Sequence, residues 1–148
     1  MTAALTQATS SRPSGTTAVR AAALGAGAVL LGFAGLQIAL AAGAPLGEHV
    51  WGGGQERVLP ASMRAIAGGA AIALGAATTI VARQAGLGRP ARWLSPTTWG
   101  TAGYLAPNTV GNLASSSGVE RWAFGPATAI ASALTAFVAL RTRCGALT

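Results

Sequence analysis

The 148 residues are 51% hydrophobic and 9% charged, with a mean hydropathy of +0.50, too little charge to clothe a water-soluble domain of this length; the composition is that of an integral membrane protein. The net charge of +7 comes from ten arginines, with no lysine, against Glu48, Glu56 and Glu120, with no aspartate. The arginines sit at the ends of apolar runs rather than on one amphipathic face, so they read as snorkelling and topology signals and exclude a nucleic-acid surface.

Residues 1–19 are rich in Thr, Ser and Ala, carry Arg12 as their one charge and show no apolar period, which reads as a disordered tail. The uncharged run 21–44 would be roughly 36 Å long as a helix against a hydrocarbon core of about 30 Å, and predicts a first span with Gln37 as its one strongly polar side chain. A signal peptide is the rival reading, with Arg20 as basic flank and Ala39-Leu40-Ala41 as a small-residue cleavage site. Against it, the run exceeds the ~7–15 apolar residues of a signal, and the arginine pattern below needs an even number of spans.

Pro45 to Pro60 is a loop punctuated by Pro and Gly that holds Glu48, His49, Trp51, Glu56 and Arg57. A second helix is predicted over 65–82, where Ala65, Gly69, Ala73 and Ala77 form a small-residue ridge suited to close helix packing. The basic segment 83–92 turns the chain, and Ser95-Pro96 offers an N-cap and first-turn proline for a third helix over 94–116. Ser115-Ser116-Ser117-Gly118 ends it. A fourth helix is predicted over 122–140, with Thr128, Ser132 and Thr135 on one face, followed by a short tail at 143–148. Cys144 has neither Cys nor His beside it and reads as incidental.

The third helix carries the polar chemistry. At about 100° per residue, Thr97, Thr101, Tyr104, Asn108, Asn112 and Ser115 fall within an arc of roughly 80°, with Trp99, Ala106, Val110 and Leu113 opposite. In lipid no water satisfies a hydroxyl or carboxamide, so this face is expected to turn inward as a polar seam together with Gln37 and Thr128. Pro107 leaves the Gly103 carbonyl without its helical donor and implies a kink beside Tyr104. Every Glu, Arg and His lies outside the four apolar cores, which counts against a proton-driven exporter. Glu48, His49, Glu56 and Glu120 are the acid-base or metal candidates, with Arg57 and Arg121 beside them, but adjacent residues on a glycine-rich loop do not specify a metal, and no metal site or cofactor is expected. Gly52-Gly53-Gly54 lacks the Lys-Ser/Thr and following helix of a phosphate loop.

With four spans, Arg12, Arg20, Arg83, Arg89, Arg92, Arg141 and Arg143 share one side, seven against the three of Arg57, Arg64 and Arg121 on the other, and both termini are expected in the cytoplasm. The stretch Gly111-Asn112-Leu113-Ala114-Ser115-Ser116-Ser117-Gly118-Val119-Glu120-Arg121-Trp122-Ala123-Phe124-Gly125-Pro126 resembles a signature of a family of small, uncharacterised four-helix bacterial membrane proteins, and the loop at 43–60 resembles that family's other signature. Members more often carry a basic residue where this chain has Ser117 or Gly118. The resemblance implies a four-span, multi-pass protein of the bacterial inner membrane and implies no activity.

The expectation is therefore an all-α four-helix transmembrane bundle over 20–142, with N- and C-termini cytoplasmic. Its partners are the lipid bilayer and a second copy or another membrane subunit, not nucleic acid. A non-enzymatic structural or accessory subunit is the leading functional class. The alternative is a binding or transport protein for a small polar or amphipathic solute at the seam of Tyr104, Asn108, Asn112, Ser115 and Gln37; a membrane enzyme or loop metal site ranks third.

Overall fold

The computed structural model describes residues 14–89 and 91–144, and among these the regular structure is all helical. Four long helices, α1 (Ser14–Ala41), α2 (Ala61–Gln84), α3 (Leu94–Ala114) and α4 (Gly125–Cys144), are joined by two structured loops and one turn. A 3₁₀ turn at Gly47–His49 lies in the first loop, and a π-helical turn at Glu120–Phe124 runs directly into α4. Three helices are long and apolar enough to cross a membrane: α1, α2 and the continuous helix Glu120–Arg143. α3 has 21 residues, about 32 Å of helix, but its threonines, asparagines, prolines and tyrosine make it more polar than the rest.

Packing is organised in three levels. At one end Val19, Ala22, Ala23 and Ala26 of α1 are buried against Val81 of α2, Ala85 just past its end and Val138 of α4. Leu30, Leu105 and Ala131 form the middle, with Leu74 and Ala77 packed against them. At the other end Leu40 and Ala67 meet Val50 and Leu59 of the first loop, with Trp51 and Phe124 against the cluster. The start of α1, the end of α4 and the 85–93 turn thus share one end, where Gln84 Nε2 donates to Thr142 Oγ1 at 2.6 Å. The two loops share the other.

Several boundaries differ from those expected. α1 begins at Ser14, inside the stretch read as tail, because Val19 extends the buried stripe of Ala22, Ala23 and Ala26. It stops at Ala41 because Gly43, at φ +93°, closes a Schellman turn in which the Ala44 N–H reaches the Ala39 carbonyl at 2.9 Å and the Gly43 N–H reaches that of Leu40 at 3.0 Å. Gly86 ends α2 in the same way at φ +80°. Ser95 does not cap α3: Trp93 occupies that position in a helical conformation, with no side-chain cap, and its ring receives the Arg83 guanidinium 5.4 Å from the centroid.

The ridge of α2 also faces elsewhere. Ala65, Gly69 and Ala73 are exposed, and α2 meets α1 through Ala67, Thr78 and Val81, close enough that a Cβ on Gly27 would lie 3.3 Å from Thr78 Cγ2. Small residues occupy nearly every face of α2, so their spacing does not select one; the bulkier Leu74 and Val81 do.

Candidate functional site

The loop end is a closed structure. The Gly47 N–H donates to the Arg57 carbonyl at 2.9 Å, and a Cβ on Gly47 would overlap the Glu56 carbonyl oxygen, so only glycine lets the two strands of the first loop lie this close. Three side chains of the second loop then fasten it to the first. Ser116 Oγ donates to the Gly52 carbonyl at 2.6 Å, Ser117 Oγ donates to the His49 carbonyl at 3.1 Å, and the Glu120 carboxylate accepts from the Gly52 N–H at 2.9 Å. The use of Gly52 and Gly53 is conformational: φ is +89° and +76°, and Trp51 before them is held at +51°, a region that a bulky side chain rarely adopts.

Glu120 is 5% exposed, although it was expected in a solvated loop outside the apolar cores. The π turn is the local reason for the difference. It begins the continuous span Glu120–Arg143, so the carboxylate enters the helical body instead of standing before it. Oε2 accepts both from Gly52 and from Ser115 Oγ, while Ser115 Oγ in turn accepts from the Ser117 N–H at 3.0 Å. Arg121 is exposed and donates through Nη2 to the Ser115 carbonyl at 2.8 Å.

Glu120 forms part of the wall of a cleft of about 290 Å³ between the helices and beneath the first loop. Its polar wall is Gln37 from α1, Tyr104, Asn108 and Asn112 from α3, and Thr128 from α4. Asn112 Nδ2 donates to Asn108 Oδ1 at 3.2 Å and to Thr128 Oγ1 at 3.4 Å, linking α3 to α4. Gln37 Oε1 is buried without a hydrogen-bond partner. The apolar wall includes Phe33, Trp51 and Phe124, with the rings of Phe33 and Phe124 edge to face at 5.3 Å.

A second lobe of about 340 Å³ continues between α2 and α3, sharing Ala73, Leu74, Tyr104 and Leu105 with the first. Here the expected seam stops being polar. Thr97 Oγ1 donates to the Trp93 carbonyl at 2.6 Å and Thr101 Oγ1 to the Thr97 carbonyl at 3.0 Å, so both hydroxyls are satisfied by their own helix. Tyr104, 64% exposed, stands at the junction of the two lobes. On α4, Ser132 Oγ donates across to the Ala102 carbonyl at 3.1 Å, while Thr135 Oγ1 is buried without a partner.

The structure thus gathers Gln37, Tyr104, Asn108, Asn112 and Glu120 on one cleft, with Ser115 holding Glu120 from behind. It leaves the remaining loop candidates on the surface: Glu48 lies 3.9 Å from Arg57 Nε and 3.6 Å from His49 Nε2, and Glu56 is exposed. Among the described residues no three His, Cys, Asp or Glu side chains come together. Sequence reasoning did not find Phe33, Trp51 and Phe124; the cue was a lone Trp before three glycines, facing a loop with three serines and an acid. No protein-family model, curated protein or solved structure matches this chain.

Proposed function

We propose that the chain is a four-span protein of the bacterial plasma membrane, with both termini in the cytoplasm, whose cleft opens to the outer side and binds a small polar or amphipathic solute. The arginine asymmetry supports the orientation, and the signatures at 111–126 and 43–60 support membership in the four-helix family they resemble. The observation that carries the binding reading is Glu120, a carboxylate 5% exposed in the wall of a cavity that, among the described residues, no arginine lines. A carboxylate at membrane depth with no cation lining its cavity is costly unless a ligand supplies one. The proposal is one of binding and passage, with no reaction assigned.

A structural or accessory role is the second reading, favoured by the Asn108–Asn112–Thr128 link between α3 and α4. A cysteine scan separates the two. On a Cys144→Ser background, water-soluble thiol reagents are expected to label Cys placed at Asn108 and Asn112, which line the cleft, and not at Ala106 or Val110, on the exposed lipid side of the same turns. Protection at all four positions would remove the cleft reading, and labelling of Ala106 ahead of Asn108 would reverse the assigned facing of α3.

A further inference from the structure

Resting on that reading of the cleft, we propose that its occupant is a single-chain ammonium amphiphile, with the cationic head at Glu120 and the alkyl chain along the α2–α3 lobe. Phe33, Trp51, Tyr104 and Phe124, four of the eight aromatic residues in the chain, line the same cleft as the carboxylate. A negative charge in an aromatic-lined cleft attracts an organic cation by Coulomb attraction, and any ring face the cation meets adds its quadrupole. No arginine lines the cleft among the described residues, and Arg121 is engaged with the Ser115 carbonyl, so the carboxylate has no internal counter-ion.

The chain end follows from the second lobe. Its walls are Leu30, Leu74 and Leu105 with Ala73, Ala77 and Gly100, and its threonine hydroxyls are satisfied internally, which leaves a surface for hydrocarbon. Gly100 faces open space, since a Cβ there would meet nothing within 4 Å. Exposed Ala73 and Tyr104 at its edge allow a chain to enter sideways from the bilayer. A bilayer phospholipid fits less well, because its phosphate would lie close to Glu120 with no cation from the cleft to offset it.

The test uses the full chain in phosphatidylcholine nanodiscs, with binding read against empty discs. Dodecyltrimethylammonium is expected to bind saturably and at least about tenfold more tightly than tetramethylammonium, and dodecyl maltoside, with the same chain and no charge, is expected not to bind saturably. Glu120→Gln, which keeps an acceptor for Gly52 and Ser115, should weaken both cations about tenfold, whereas Gly100→Leu should weaken only the dodecyl probe. Phe33→Leu, which takes no part in the hydrogen bonds of Glu120, should weaken both cations and keeps the head assignment testable if Glu120→Gln does not fold. Equal affinity for the two cations with Gly100→Leu inert would overturn the amphiphile and leave the cleft standing. Loss of dodecyltrimethylammonium binding in discs containing phosphatidylethanolamine would make the occupant a bilayer lipid. Binding of neither cation, with Asn108 unlabelled in the cysteine scan, would remove the cleft as well.

Discussion

Gln37 and Glu120 are both buried and polar, but they differ in how they are supported. Glu120 has the Gly52 N–H and Ser115 Oγ, and removing the carboxylate would strand both donors. Glu120→Ala is expected to destabilise the protein by about 2–4 kcal/mol in reversible unfolding, and Glu120→Gln by less than half of that, because the amide oxygen still accepts. Gln37 has an oxygen with no partner, so its replacement removes a penalty rather than a bond. Gln37→Leu is expected to stabilise by about 1 kcal/mol in the same measurement while weakening solute binding, the opposite signs that mark a residue kept for a ligand. A loss of stability in Gln37→Leu would show that the side chain has a structural partner after all.

The elements were unevenly legible in the sequence. α1 and α2 followed from uncharged runs of spanning length, because in a bilayer length and apolarity are themselves the constraint. The facing of α2 did not, since exposed Ala65 and Ala73 are the same residue as Ala67, which does pack. The polar arc of α3 was visible as a period, but which of its hydroxyls turn back onto their own helix depends on rotamers, and so Thr97 and Thr101 drop out of the seam while Asn108 and Asn112 remain. The first loop was legible only as a loop. Its order rests on Gly47, where the Arg57 carbonyl is 2.9 Å away and a side chain has no room. Gly47→Ala is therefore expected to cost about 2–4 kcal/mol and to expose the loop to limited proteolysis, while Gly54→Ala, with nothing within 4 Å of the new Cβ, should stay within about 0.5 kcal/mol.

At the scale of the molecule, the three packing levels all draw on α1: Val19 and Ala26 at one end, Leu30 in the middle, Leu40 at the other. Cleavage after Ala41 would remove a wall from each. The mature protein is expected to retain α1, which intact-mass measurement and terminal sequencing would check; a mature N-terminus near Ala42 would leave the cleft without Phe33 and Gln37. With α1 in place, reporter fusions after Arg89 and at the C-terminus are expected to report cytoplasm, and those after Gly53 and Ser117 the outside. A cytoplasmic signal at Gly53 would invert the orientation and with it the side from which a solute enters.

The π turn at Glu120–Phe124 also sets the direction in which the cleft's acid points. A π turn contains one residue beyond what an α-helix needs, so it is equivalent to an insertion that the helix has absorbed. Were all five residues of the turn wound as α instead, with none removed, everything before them would rotate by about 100° relative to α4. Thr128, Ala131 and Thr135 would keep their places, but the carboxylate would swing away from the Gly52 amide and the two loops would lose their fastening. The cleft therefore depends on how this turn winds as much as on residue identity: a chain that kept every side chain named above but wound Glu120–Phe124 as α would have no site.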